Sequence, residues 1–302
     1  MYDIVVVGAG PAGLTAALYA RRADKKVIVI EKETFGGQIT YSPKVENYPG
    51  IARMSGSEFA DMLVEQVLSM GAEIELDTVN GICENPDGGL IVKADGADYT
   101  CKTVIIAAGS KHRTLGLDRE EELVGEGVSY CAVCDGAFYA GKDVAVIGGG
   151  NSALQEAVLL SEYCKSVTLI QNLPFFTGEA KLLEILESRD NVKFITDTVV
   201  TSLIGEESLT AVELQNSQGE KSVFETDAIF VAIGQKPEND VFKDVVSLDD
   251  SGYISCDETC ITQTSGVFVA GDCRTKKVRQ ITTATADGAS AAIAACRYID
   301  GI

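Results

Sequence analysis

At 302 residues, with 46% hydrophobic and 23% charged content, the chain reads as globular and long enough for two ordinary domains. A net charge of −20 excludes a general nucleic-acid binder, which needs a basic face. The longest apolar run, Ile4 to Ala20, is broken by a glycine turn and has no basic leader, so neither a signal peptide nor a membrane span is expected; the default is a cytoplasmic protein with no membrane partner.

The first predicted unit is a strand, a tight turn and a helix start, Asp3-Ile-Val-Val-Val-Gly-Ala-Gly-Pro-Ala-Gly-Leu. Gly8, Gly10 and Gly13 fit the GxGxxG frame, in which the turn brings backbone N–H groups at a helix N-terminus against a pyrophosphate. A second strand, Lys26 to Ile30, ends at Glu31, 18 residues past Gly13, where a carboxylate would bind a ribose hydroxyl. Residues 50–76 read as a helix and a strand, and 80–105 as short strands with turns such as Asn85-Pro-Asp-Gly-Gly. Val104-Ile-Ile-Ala-Ala-Gly-Ser closes a buried strand on a glycine turn. Near residue 113 the sequence becomes charged and turn-rich, as a linker would. His112, the one histidine, is expected there as a solvated linker residue.

Of nine cysteines only Cys131 and Cys134 make a CxxC pair, a spacing that favours redox or metal chemistry over a structural staple in a reducing compartment. Cys256 and Cys260 supply two ligands at most, so no metal is expected. Two cysteines separated by two residues can close a small, exchangeable disulfide at a helix start, where the backbone stabilises a thiolate. Asp135 stands beside them as a proton carrier for thiol exchange, or as a cap.

A second strand–turn–helix begins at Asp143-Val-Ala-Val-Ile, and Gly148, Gly150 and Ala153 give GxGxxA before the strand Val167 to Ile170. This internal repeat means two dinucleotide-type folds in one chain. Asp227 to Gly234 closes the inserted unit, Gly266 to Asp272 is a buried strand ending in an aspartate, and 280–299 is an alanine-rich helix. The expected fold class is α/β, with two three-layer, Rossmann-like domains, the second inserted into the first.

The stretch after Ile170, Gln171-Asn-Leu-Pro-Phe-Phe-Thr-Gly-Glu-Ala, carries no positive charge for a 2′-phosphate and no carboxylate at the strand end for a free ribose. Pro174 and the pair Phe175-Phe176 make it stiff and apolar. The glycines at 148–150 need no ligand to explain them, because small residues there let helix and strand pack closely.

Taken together, Gly8-Ala-Gly-Pro-Ala-Gly13, Gly36-Gly-Gln38 with Val45-Glu-Asn-Tyr-Pro-Gly50, Cys131-Ala-Val-Cys-Asp135 and Gly271-Asp272 with Arg279-Gln280 make a specific set. With them the chain resembles, end to end, the low-molecular-weight thioredoxin reductases, flavoproteins of the pyridine nucleotide–disulfide oxidoreductase type. The resemblance implies an FAD domain, 1–112 plus 242–302, and an inserted NAD(P)H-like domain, 113–241, carrying the CxxC. It places Gly8, Gly10, Pro11, Ala12 and Gly13 against the FAD pyrophosphate and Glu31, with Lys32, against the adenosine ribose. Gly37, Gln38 and Asn47 line the flavin; Ala108, Gly109, Gly271 and Asp272 flank the ribityl chain; Arg279, Gln280 and Ile281 lie near the ring. It also implies a homodimer whose inserted domain rotates, Cys134 facing the flavin, Cys131 attacking the thioredoxin disulfide, and Asp135 as the proton carrier.

Members that use NADPH carry a His-Arg-Arg run and a further arginine where this sequence has Gln171, Asn172, Leu173 and Thr177. Losing two or three phosphate contacts at roughly 1.5–3 kcal/mol each would weaken binding by about three decades or more. No tightly bound NADP is therefore expected, and the departure resembles the flavin thioredoxin reductases that take electrons from ferredoxin. Two basic groups offer docking patches for such an acidic partner: Arg21, Arg22, Lys25 and Lys26, and Arg274, Lys276, Lys277 and Arg279. The alternatives are an NADPH-dependent reductase with an atypical nucleotide site, and a flavoprotein binding or regulatory module without disulfide turnover. Cys273, beside Asp272, is expected to be a buried bystander.

Overall fold

In the computed structural model, which describes residues 1–42 and 45–302, the chain folds into two units, Met1–Lys111 with Lys236–Ile302, and His112–Gln235. The first unit opens with β1 (Tyr2–Val7), whose last four residues are buried, as in a parallel sheet covered on both faces. Gly8, at φ 105°, turns the chain where a Cβ would overlap the Ala107 carbonyl, and Pro11 begins α1 (Pro11–Arg22). The unit continues through β2 (Val27–Glu31), α2 (Gly56–Ser69), β3 (Glu73–Leu76), β4 (Val79–Glu84), β5 (Leu90–Ala94) and β6 (Asp98–Ile106). Ser55 and Glu58 form a reciprocal capping box at the start of α2.

The chain leaves by β7 (Lys111–His112) and enters the second unit at β8 (Val128–Ser129) and the short helix α3 (Ala132–Asp135). There follow β9 (Asp143–Ile147), α4 (Asn151–Leu160), β10 (Ser166–Ile170), α5 (Ala180–Glu187) and β11 (Val192–Ile195). An antiparallel meander, β12 (Thr198–Ile204), β13 (Ala211–Asn216) and β14 (Lys221–Glu225), precedes β15 (Ala228–Val231). The chain returns by β16 (Gln235–Lys236), which pairs with β7, and ends with β17 (Val267–Val269) and α6 (Ile281–Asp300).

The first sheet runs β3-β2-β1-β6-β5-β4, with β17 beside β6; its β1, β2, β3, β6 and β17 are parallel neighbours. The second runs β11-β10-β9-β15-β8, all parallel. The return crossing lies at 235–236 rather than near 241, because Asn239 is already buried in the first unit, donating to the Gly252 and Cys273 carbonyls at 2.8 Å. Helices α1 and α6 pack together so closely that a Cβ at Gly288 would overlap the Ala12 carbonyl. His112 is no solvated linker residue: its ring stacks on Tyr130 at 5.3 Å, and burial lowers its pKa from 6.5. Among the described residues no helix is long and apolar enough to cross a membrane.

Candidate functional site

Two groups of candidate site residues stand out, one in each unit. In the first, the turn after β1 leaves α1 capped by Gly10, with no side chain satisfying the N–H groups of its first turn. The Glu31 carboxylate stands beside it, accepting from the N–H of Ala9 at 2.7 Å and of Glu33 at 2.9 Å. Gly37 lies over the same turn, since a Cβ there would meet Gly10 Cα at 3.2 Å, and the Gly36 N–H donates to the Ala9 carbonyl. From the other side a Cβ at Gly271 would stand 2.8 Å from that of Ala12. Asn47 donates to Gln280 at 3.2 Å, and Gln280 caps α6, whose first residue is Ile281. Gly13, Gly37 and Gly271 are thus brought around the N-terminus of α1, while Asn47 and Gln280 meet each other at the start of α6. Gln38 follows Gly37 in a short 3-10 helix, Gly37–Tyr41, and Gly109 turns the chain past β6 at φ 67°. Lys32 is directed elsewhere, onto Glu238.

Asp272 follows the end of β17, and its Oδ1 is enclosed, with no hydrogen-bond partner among the described residues. Burial pushes its carboxyl up from 3.8 to about 6, although Lys276 and Arg279 pull the other way. Arg279 donates to the Asp272 carbonyl at 3.3 Å and lies over the Tyr253 ring at 4.1 Å.

No motif pointed to the residue that holds this loop. Asp287, on α6, accepts from the Gly271 N–H at 3.0 Å, from Arg274 Nε and Nη2 at 2.9 and 2.8 Å, and from Lys276 Nζ at 2.8 Å. Burial acts to raise its pKa, yet the bonds from Arg274 and Lys276 hold it below the ordinary 3.8. The second basic patch is thereby corrected. Arg274 is 1% exposed and the Lys276 side chain 5%, both committed to Asp287, which leaves Lys277 as its exposed cation. In the first patch, Arg21 ties Met70 and Lys25 carbonyls and Lys25 pairs with Asp300, which is structural work at the end of α1.

In the second unit Cys131 and Cys134 form a disulfide with Cα atoms 5.3 Å apart, at the start of α3. Both are half-buried, and the Cys134 N–H points at Cys131 Sγ at 3.2 Å. Ser129, which sequence reasoning missed, donates to Asp135 Oδ2 at 2.7 Å and accepts from the Cys131 N–H at 3.1 Å. It ties the acid to the disulfide turn. Cys273 is fully enclosed, and burial pushes its thiol up to about 12.

The second glycine turn is filled by its own chain. Gly148 has φ 135°, and a Cβ there would meet the Ala232 carbonyl at 2.5 Å, so packing alone accounts for it. The Gln171 side chain, 5% exposed, lies on Gly149 and donates to the Phe175 carbonyl at 3.3 Å. The Gly149 carbonyl accepts from the N–H groups of Thr177 and Gly178 at 2.8 and 3.0 Å. Asn172, Leu173, Phe175 and Thr177 are exposed, and none is cationic.

A family model described as pyridine nucleotide-disulphide oxidoreductase matches residues 2–288. The "34.2 kDa protein in rubredoxin operon" of Clostridium pasteurianum is 39% identical over 300 residues, covering 99% of this chain and 97% of that protein. The thioredoxin reductase of Listeria innocua is 37% identical, covering 99% and 94%. The crystal structure of the Streptococcus pyogenes thioredoxin reductase superposes with a TM-score of 0.95 at 38% identity, covering 100% of this chain and 99% of that one. The α/β fold of two Rossmann-like sheets is the fold of these enzymes.

Proposed function

The chain belongs to the pyridine nucleotide-disulphide oxidoreductase family, as a flavoprotein with thioredoxin reductase function, and from that premise we propose that its electrons come from reduced ferredoxin rather than NADPH. The observation that carries this reading is the second glycine turn. Gln171 lies on Gly149, where a pyrophosphate would approach the backbone, and no side chain from 171 to 179 is positive, so a 2′-phosphate at the strand end finds no counter-charge.

The first unit fits FAD. The uncapped N-terminus of α1 suits a pyrophosphate, and the Asp272 Oδ1, enclosed and unpartnered among the described residues, would accept from a hydroxyl. Bound FAD supplies a group that takes electrons singly and passes them on in pairs. The protein's part is thiol exchange. Two electrons reaching Cys134 break the S–S bond, and the Cys134 N–H stabilises a thiolate at Cys131. That thiolate attacks the thioredoxin disulfide, releasing one thioredoxin sulfur. Cys134 then attacks Cys131 Sγ, which restores the protein disulfide and frees the second sulfur. Asp135, held by Ser129, carries the protons that the released thiolates take up.

Two expectations arise here. Asp272→Ala should weaken FAD binding about 10- to 150-fold, the equivalent of one charge-assisted bond at ~1.5–3 kcal/mol. Titration of flavin-stripped protein with FAD checks it, and unchanged affinity removes Asp272 from the site. Second, Asn172→Arg, Leu173→Arg and Thr177→Arg together should tighten NADPH binding by about two decades or more and leave ferredoxin-driven turnover as it was. All three positions are exposed, so the side chains can be housed without repacking. Steady-state thioredoxin reduction with each donor reads both the variant and the proposal itself; turnover of the unmodified protein with NADPH and none with reduced ferredoxin would reverse the assignment.

A further inference from the structure

Beneath the disulfide turn lies an acid with no role in the exchange steps above. Helix α3 packs on α4, and Glu156 is the one ionisable residue of α4. Its Oε2 is enclosed and has no hydrogen-bond partner among the described residues, while the nearby Ala132 N–H favours the ionised carboxylate. That N–H belongs to the peptide leaving Cys131, so the carboxylate is one residue from the redox pair.

Among the described residues no charged side chain pairs with it; Arg189, which donates to the Val158 carbonyl of α4, pairs with Glu162. On α3, Asp135 is bonded to Ser129. On β9, Asp143 is bonded to Lys165 and Ser166; β10 has no ionisable residue. On α5, Lys181, Glu184 and Glu187 are exposed to water. Burial is the main influence on Glu156 and pushes its carboxyl up from 4.5 to about 7, with the Ala132 N–H opposing.

We propose that Glu156 is a positioning residue that holds a proton for the reduced Cys131–Cys134 pair, its protonation tied to the appearance of a thiolate above it. This rests on the disulfide-exchange reading. In the oxidised protein the pair is neutral, and Glu156 ionises against burial alone. When two electrons break the S–S bond, two negative charges appear on sulfur. One takes a proton from solvent and becomes a thiol. The second, as a thiolate, adds a negative charge one residue from a carboxylate that burial already disfavours as an ion, so the two share one further proton. With that proton on Glu156 the thiolate persists as a nucleophile. When it is consumed in the mixed disulfide, Glu156 returns the proton to solvent.

The test is the alkylation of Cys131 and Cys134 by iodoacetamide, followed peptide by peptide in the dithiothreitol-reduced, FAD-loaded protein across pH 5.5 to 9. The unmodified protein should titrate in two steps. Glu156→Gln, which keeps shape and a hydrogen-bond acceptor, should titrate in one step at lower pH, with alkylation at pH 7 about 3- to 10-fold faster, the effect of removing a like charge. Infrared difference spectra between oxidised and reduced protein give a second reading that needs no variant: reduction should produce a protonated carboxyl band, absent in Glu156→Gln. Superimposable alkylation profiles, or no carboxyl change on reduction, overturn the proton-holding role. A protein that still reduces thioredoxin while giving either result overturns this inference alone; one whose Cys131 and Cys134 never exchange with thioredoxin overturns the reading beneath it.

Discussion

Cys134→Ser is expected to lower thioredoxin reduction by about three decades or more while the flavin stays bound and is still reduced by its donor. A serine hydroxyl cannot form the internal disulfide, so the electron pair has no covalent acceptor and the mixed disulfide has no resolving group. The remainder of the site should persist. Ser129 still bonds to Asp135 and to the Cys131 N–H, and the Cys134 backbone N–H that faces Cys131 Sγ does not depend on the side chain. Stopped-flow mixing with donor, followed by thioredoxin, separates the two half-reactions. Cys273→Ser is the control: that thiol is enclosed and pushed up to about 12, so turnover should not change. Loss of activity in the control with a working Cys134→Ser variant would move the redox pair elsewhere.

Asp287→Ala is expected to destabilise the first unit by about 3–5 kcal/mol, because it leaves Arg274 and Lys276 without their buried partner, with only the exposed Glu258 still on Arg274. That corresponds to a fall in Tm of roughly 10 °C for a unit of this size. The Gly271 N–H loses its acceptor in the same step, so FAD release should accompany the loss of stability. Asp287→Asn keeps an acceptor but not the charge and should fall between the two. The pH dependence has a definite sign. The folded-state pKa of Asp287 lies below its ordinary 3.8, so its contribution is complete above that value and is lost as the pH falls through the folded pKa. The gap in Tm between Asp287→Asn and the unmodified protein should therefore be full from pH 7 to about pH 4 and narrow as the pH falls below it. Parallel curves would mean that the ion pair contributes no net stability. The same geometry explains why Lys276→Glu is a poor probe of a docking surface: it would place a second carboxylate against Asp287.

The parts of the fold that sequence made legible are those with short-range signatures. The glycine turn before α1, the repeat before α4 and the CxxC at α3 are each written within a dozen residues. The positions their spacing implies are where the elements form. Asp287 left no such trace. It sits in an alanine-rich helix, and its partners Arg274 and Lys276 are on a separate loop, a juxtaposition set by packing rather than by spacing. The same blindness made Arg274 and Lys276 look like surface cations. Glu156 and Ser129 were missed for a related reason, since each meets the disulfide turn from another element or from two residues before it. His112 looked solvated because its linker is polar, but the Tyr130 ring covers it. The loss of charge after Ile170 was legible; that Gln171 also covers Gly149 was not.

The choice of donor is read most directly from the flavin itself. In anaerobic single mixing, the account predicts rapid loss of the oxidised flavin absorbance with reduced ferredoxin and none on that timescale with NADPH or NADH. Rapid bleaching by NADPH would contradict it.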